Sequence, residues 1–248
     1  RKQSPEKAIK QLLSSKLFKF HTYSSTQREK IVALEGDLCE VGLGLSESNR
    51  RLIQDNVNIV FHITSQNCFT NAVSFFFKQD VIGTQNLMNF TKSMKNLQCF
   101  VHVSTIYSNC NQKFITEEVE PLSNDTKTII ENLRSFSPQS LESEAYKYFD
   151  GRPDGYTFSK ALCENIVNES RENVPTAIVR PAIIAPAIAE PCPGFVNQFE
   201  PISGFLTFLG LGILQIVDYD FSIHTEYTPV DYLANILITV AYKIANSR

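Results

Sequence analysis

Tyr156-Thr157-Phe158-Ser159-Lys160 sets a phenol and an ammonium four residues apart at the start of a helical pattern. Residues at that spacing share one face of a helix, so both groups can address a single carbonyl or alcohol oxygen. A free phenol ionises near pH ~10, and a neighbouring Lys⁺ favours the phenolate. The expectation is therefore a proton donor at Tyr156 whose pKa Lys160 draws towards working pH. A YxxxK on its own is also what an ordinary exposed first turn looks like. Upstream, the apolar run Phe100-Val101-His102-Val103 delivers two hydroxyls, Ser104 and Thr105, at its end. Ligands of open α/β sheets bind outside the carboxyl ends of the strands, so these hydroxyls are candidates to hydrogen-bond a substrate oxygen. Capping of the next turn is the alternative use for either one.

Such an arrangement needs a parallel sheet, and the periodicity predicts one. Short β-rich runs at Lys30 to Leu34, Asn58 to Thr64, Cys99 to Ser104 and Thr176 to Arg180 alternate with helical patterns at Ser4 to Ser14, Glu47 to Asn56, Asn71 to Lys95, Tyr156 to Asn173 and Pro229 to Ile244. The runs at Ile59 to Ile63 and Phe100 to Val103 are almost continuously apolar, as expected of central strands covered on both faces. In Asn71 to Lys95, the residues Val73, Phe77, Val81, Thr84, Leu87 and Phe90 form one stripe that packs on the sheet. Residues 111–154 are polar and weakly periodic, with Pro121, Pro138 and Pro153, and read as an insertion riding on the core. Further strand ends carry Gly36-Asp37-Leu38, Thr64-Ser65 and Arg180-Pro181, which suit close approach of a flat nucleotide or a plain turn and strand exit.

Composition bounds the rest. The 248 residues are 43% hydrophobic and 20% charged, which is ordinary globular make-up and enough for one large domain over 1–248. Lys+Arg 23 against Asp+Glu 26, with no basic run longer than Arg50-Arg51, gives no electrostatic support for a nucleic-acid face. The six cysteines form no CxxC pair, and His21, His62, His102 and His224 show no ligand spacing, so neither zinc nor a disulfide framework is expected and packing accounts for the histidines. Three sequons, at Asn89, Asn124 and Asn168, read as chance matches. The longest uncharged run, Pro201 to Val217, contains three glycines and falls short of a membrane span, so a core helix is expected there. Arg1 without a Met and an apolar helix pattern running into Arg248 suggest a fragment.

Taken together, Lys30 to Leu38, Phe61-His62, Val81-Ile82-Gly83-Thr84, Phe100 to Thr105, Gly151-Arg152-Pro153, Tyr156 to Ala161, Ile178 to Pro181 and Glu190-Pro191-Cys192-Pro193-Gly194 resemble the NAD-binding domain of fatty acyl-CoA reductases. This is the male-sterility-like family of the extended short-chain dehydrogenase/reductase group, and the blocks fall in the family's order along essentially the whole chain. The resemblance implies an α/β, Rossmann-like doubly wound parallel sheet and reduction of a long-chain acyl-CoA by NADPH, through an aldehyde, to a fatty alcohol. It implies Tyr156 as proton donor, Lys160 as its partner and ribose contact, and Thr105 with Ser104 as the carbonyl-binding hydroxyls. Asp37 and Leu38 are then adenine contacts, Thr64 and Ser65 lie beside the cofactor, Pro181 and Ile183 are on the nicotinamide side, and Arg1 meets a 2′-phosphate. A substrate-side region is expected at residues 185–228, where the uncharged run would line an acyl pocket. Association with peroxisomal or endoplasmic-reticulum membranes would run through segments beyond this chain.

The chain also departs from the family. None of its ten glycines forms a GxGxxG, so the first strand and the glycine-rich loop of the fold are lacking, and Asp80 stands where an Asn is usual. Another extended dehydrogenase, such as a sugar-nucleotide epimerase, and a non-catalytic degenerate relative are the alternatives.

Overall fold

The computed structural model describes residues 4–20, 24–64, 72–172, 174–197, 201–220 and 222–247. In chain order the helices are α1 (Pro5–Leu13), α2 (Lys16–Lys19), α3 (Ser25–Arg28), α4 (Glu47–Asn56), α5 (Val73–Phe76), α6 (Gly83–Thr91), α7 (Thr126–Ser135), α8 (Pro138–Glu144), α9 (Gly155–Ser170), α10 (Pro201–Gly210) and α11 (Val230–Ala245). The strands are β1 (Ile59–His62), β2 (Cys99–Val103), β3 (Thr176–Val179), β4 (Ile183–Ala185) and β5 (Tyr227–Pro229). Contacts divide the chain into a larger unit, residues 36–180 with 240–248, and a smaller one, residues 1–35 with 181–239.

In the larger unit the described strands form a parallel sheet in the order β1-β2-β3. Its register pairs His62 with His102 and Val103 with Val179, and the ladder runs one residue further through the Ser104 amide to the Val179 carbonyl at 2.8 Å. β2 is buried along its whole length, as its apolar run requires. β1 departs from expectation. Ile59 and Phe61 are 39% and 40% exposed, because only the face carrying Val60 and His62 is covered. On that face Phe100, Val60 and Ile178 pack with Leu87, Met88 and Val167, and burying each large side chain contributes roughly 1.5–3 kcal/mol.

The stripe predicted between Asn71 and Lys95 is buried throughout: Val73, Phe77, Val81, Thr84, Leu87 and Phe90. Its backbone is not one regular helix. α5 runs into a π-helical turn over Phe77–Ile82 and then into α6. Such a turn displaces the following face by one residue, and here it carries Asp80 into the interior.

The Lys30 to Leu34 strand does not form; residues 31–37 belong to no helix or strand. The Asp37 amide donates instead to the Leu43 carbonyl at 2.8 Å, closing a turn in which a Cβ on Gly36 would lie 2.9 Å from that same oxygen. Residues 111–154 hold more structure than expected. α7 starts on the Asp125 cap and buries Ile129, Ile130 and Leu133, and α8 starts on Ser137 with Pro138 in its first turn. Glu142 of α8 accepts from the Val73 and Ser74 amides at 2.7 and 2.9 Å, and so caps α5.

In the smaller unit β4 and β5 pair in parallel, Ile183 opposite Tyr227. Asp231, at the start of α11, accepts from the Ile188, Ala189 and Glu190 amides at 3.2, 2.8 and 3.1 Å and fixes the segment that leads into a cis Glu190–Pro191 bond. α10 is not a core helix. Phe205, Leu206, Phe208 and Leu209 are 37% to 53% exposed, so its apolar residues face outward from this unit.

Candidate active site

α9 begins at Asp154, whose carboxylate accepts from the Thr157 amide at 2.8 Å. This cap sets the first turn, and every residue from Gly155 to Val167 is buried. The helix can lie that deep because Gly155 has no side chain: a Cβ there would sit 3.1 Å from Val73 Cγ2. Tyr156 and Lys160 are consequently 8% and 3% exposed, which excludes the ordinary exposed first turn.

The exit of β2 brings Ser104 and Thr105, each 5% exposed, to the same place. Thr105 Oγ1 accepts from the Tyr107 amide at 3.3 Å, so it does cap the next turn, and its side chain also hydrogen-bonds the Tyr156 phenol. Ser104 Oγ is different. It is buried and has no hydrogen-bond partner among the described residues, an unusual state for a hydroxyl and one that leaves a donor ready for a ligand oxygen. Lys160 Nζ lies 3.5 Å from the Val103 carbonyl, so its ammonium sits against the last residue of β2.

Asp80 completes the cluster. The Ser159 hydroxyl bridges it to α9, reaching Asp80 Oδ2 at 3.3 Å and the Tyr156 carbonyl at 2.9 Å. Burial raises the Asp80 pKa, while the Lys160 charge and the Ser159 bond act in the opposite sense. Tyr156 is pushed up to about 12. Burial is the main cause and the Asp80 charge the next, and the Thr105 bond offsets only part of this. This corrects the expectation that Lys160 lowers the phenol towards neutrality: in the protein alone, burial and Asp80 prevail. A phenol held this way stays protonated at neutral pH, the state a proton donor requires.

A buried ion pair locks the helix in place. Glu164, one turn beyond Lys160, accepts from Arg180 Nε at 3.0 and 3.1 Å, from Arg180 Nη2 at 2.7 Å and from the Ser108 hydroxyl at 2.9 Å. Arg180 also donates to the Thr116 and Glu118 carbonyls, each at 2.8 Å, tying the end of β3 and the inserted segment to α9.

The structure thus brings Ser104, Thr105, Tyr156 and Lys160 together. Asp37 and Leu38 occupy the turn after Gly36, where Asp37 Oδ1 accepts from the Cys39 amide at 2.9 Å and Leu38 packs against Gly83. Thr64 is exposed at the end of β1. Pro181 and Ile183 belong to the smaller unit. Arg1 and Ser65 lie outside the described residues, as do His21 and Cys68. Asp80 was legible only as a departure from a family pattern. Asp231, Glu164 and the partners of His62 and His102 carry no sequence signal, because each depends on a contact with a distant segment. Among the described residues no group of His, Cys, Asp and Glu has metal-binding geometry.

The profile of the male sterility protein family, an NAD-binding family, matches residues 1–237. The chain belongs to that family. Fatty acyl-CoA reductase 1 of Mus musculus is 33% identical over 241 residues, covering 97% of this chain and 47% of the mouse protein. Fatty acyl-CoA reductase 2 of Homo sapiens is 30% identical over 247 residues, covering 99% of this chain and 48% of its own length. The chain therefore spans about half the length of these relatives. Among solved structures, the terminal R domain of the myxalamid PKS-NRPS pathway superposes with a TM-score of 0.68 at 20% identity, over 96% of this chain and 53% of that one. A UDP-galactose 4-epimerase superposes with a TM-score of 0.54 at 15% identity, over 86% and 57%. The fold is the Rossmann-like α/β fold these structures share.

Proposed function

We propose that the full-length protein is an NADPH-dependent fatty acyl-CoA reductase that takes a long-chain acyl-CoA, through the aldehyde, to the fatty alcohol. The observation that carries this reading is the buried Tyr156–Thr105 hydrogen bond with Lys160 on the next turn of α9, in a chain whose relatives are named fatty acyl-CoA reductases. The unpartnered Ser104 hydroxyl fits a site built to receive a further polar ligand atom.

The bound nicotinamide would supply the hydride. As hydride reaches a carbonyl carbon, negative charge grows on the oxygen and needs hydrogen bonds and then a proton. Thr105 and Ser104 donate hydrogen bonds, and Tyr156 delivers the proton. The Lys160 ammonium favours the resulting phenolate, and burial keeps bulk water from competing. Lys160 would also contact the nicotinamide ribose, with Pro181 and Ile183 on the nicotinamide side. Thr64 and Ser65 would lie beside the cofactor, Asp37 and Leu38 at the adenine, and Arg1 at a 2′-phosphate that distinguishes NADPH from NADH. The outward apolar residues of α10 support a long acyl chain as substrate.

The same proposal includes association with peroxisomal or endoplasmic-reticulum membranes. Among the described residues no helix is long and apolar enough to cross a membrane. The test is consumption of NADPH by the full-length protein with hexadecanoyl-CoA, beside conversion of UDP-galactose to UDP-glucose, a reaction that consumes no NADPH and is followed by its product. Turnover with the thioester alone is expected; turnover with the sugar nucleotide alone would replace this reading by an epimerase.

A further inference from the structure

The inserted segment frames a cavity that takes no part in the chemistry above. Its volume is about 400 Å³, within the ~300–1,000 Å³ range of small-molecule pockets, and Asn111, Gln112, Glu120, Asp150 and Arg152 line it. All five belong to the larger unit.

Arg152 is 5% exposed, and a guanidinium buried that far needs its donors met. Its Nε donates to the Ser108 carbonyl at 2.6 Å and its Nη1 to the Phe149 carbonyl at 3.3 Å, while Nη2 makes no hydrogen bond among the described residues. Asp150 Oδ2 lies 4.0 Å from Nη1, beyond hydrogen-bond reach, and accepts from the Ser123 amide at 3.0 Å. Asn111 is in a similar state: Nδ2 donates to the Asp150 carbonyl at 2.8 Å, but Oδ1 is buried without a partner. The turn that presents Arg152 holds Asp150 at φ 52° and Gly151 at φ 80°. Left-handed backbone at a non-glycine residue costs stability, and such strain gathers at binding sites.

One guanidinium beside the carboxylates of Glu120 and Asp150 limits what can enter. A phosphate would gain Arg152 and meet two like charges. An ammonium offers no acceptor to Nη2 and is repelled by it. A neutral amide has a carbonyl for Nη2 and an N–H for Asn111 Oδ1 or a carboxylate, and a hydroxyl can serve either need. The cavity wall also continues into the catalytic cluster. Arg152 holds the Ser108 carbonyl, Ser108 Oγ donates to the Thr105 carbonyl at 2.8 Å, and Thr105 bonds the Tyr156 phenol.

We propose that this cavity holds the pantetheine arm of the acyl thioester, the neutral run of amides and a hydroxyl that joins the thioester sulfur to the nucleotide. This rests on the reductase reading. An amide carbonyl of the arm accepts from Arg152 Nη2, an N–H or hydroxyl donates to Asn111 Oδ1, and Glu120 and Asp150 keep the phosphates outside.

Hexadecanal has no arm, so it separates the cavity from the catalytic cluster. The full-length protein is titrated with pantetheine by calorimetry and assayed with NADPH on hexadecanoyl-CoA and on hexadecanal. Gln112→Trp fills the cavity from an exposed position, and Arg152→Lys keeps the charge without the fork of donors. Pantetheine should bind the unaltered protein and bind both variants about tenfold or more weaker, as the loss of a hydrogen bond to a charged group predicts. The KM for the thioester should rise by a similar factor with kcat unchanged, the mark of lost uniform binding, while hexadecanal kinetics stay as they were. Equal loss with both substrates, as a merely structural role would give, overturns the proposal. So does a thioester KM that Gln112→Trp leaves unchanged, or no binding of pantetheine by the unaltered protein. If the unaltered protein reduces neither substrate the reductase reading falls, and pantetheine binding that Gln112→Trp weakens would still support the cavity as its site.

Discussion

Thr105 hydrogen-bonds the Tyr156 phenol where the end of β2 meets the first turn of α9. The two residues lie fifty-one positions apart, and each is held by something other than this bond: Thr105 by its cap to Tyr107, Tyr156 by burial against Phe76 at a ring separation of 5.9 Å. The site is therefore preorganised by the fold, which is the condition for electrostatic stabilisation of a developing oxyanion.

Lys160→Ala should lower both turnover and cofactor affinity, because the ammonium serves the phenol and the proposed ribose contact. It should also raise the basicity of His62 and His102, whose rings it now disfavours from carrying charge. NMR titration of the two imidazoles checks this independently of activity. Unmoved titration midpoints would remove Lys160 from their surroundings.

Asp80→Asn removes a carboxylate that raises the Tyr156 pKa. Oxidation of an alcohol, the reverse reaction, needs the phenolate, so the limb over which its rate rises with pH should move to lower pH in this variant. A pH profile of alcohol oxidation reads the shift. A limb at unchanged pH would show that Asp80 does not act on Tyr156.

Glu164→Ala should cost the larger unit about 3–5 kcal/mol, because it strands the Arg180 guanidinium in a mostly buried site. Urea unfolding followed by far-ultraviolet circular dichroism measures it. A loss below about 1 kcal/mol would class the pair with exposed salt bridges.

Acid should destabilise the fold through its buried neutral imidazoles. A His with its folded pKa lowered is neutral in the native state and charged in the unfolded state below about pH 6.5, so protons favour unfolding. For His62 the loss runs from about pH 6.5 down to its folded value of about 4, at about 1.4 kcal/mol per pH unit. Urea midpoints at pH 7, 6 and 5 should fall accordingly, and His62→Gln should flatten the slope. A flat profile in the unaltered protein would mean that the ring is not buried neutral.

Helices with a cap and a clear period were legible in the residues: Glu47–Asn56 has the predicted bounds, and α9 differs by a residue at its start. α7 carries the same signals, an Asp125 cap and Ile129, Ile130 and Leu133 at helical spacing, but the polar residues around them weaken the period of the segment. Lys30 to Leu34 has strand-like residues and no partner strand among the described residues, and a strand is defined by its ladder. The catalytic candidates were legible because Tyr156 and Lys160 are near in sequence and Ser104 and Thr105 end an apolar run. The Tyr156 pKa was not, since it depends on a carboxylate carried inward by a π-turn that no composition signals. The His62–His102 contact likewise appears only once two strands are set in register.

The central claim is that Tyr156 delivers the proton, and single-turnover reduction of an aldehyde by Tyr156→Phe full-length protein, beside a direct NADPH titration, tests it. General acid catalysis is worth about 10²-fold or more, so the first turnover should slow by at least that factor while NADPH affinity changes little. A Tyr156→Phe protein that reduces the aldehyde at a near-normal rate would contradict the account.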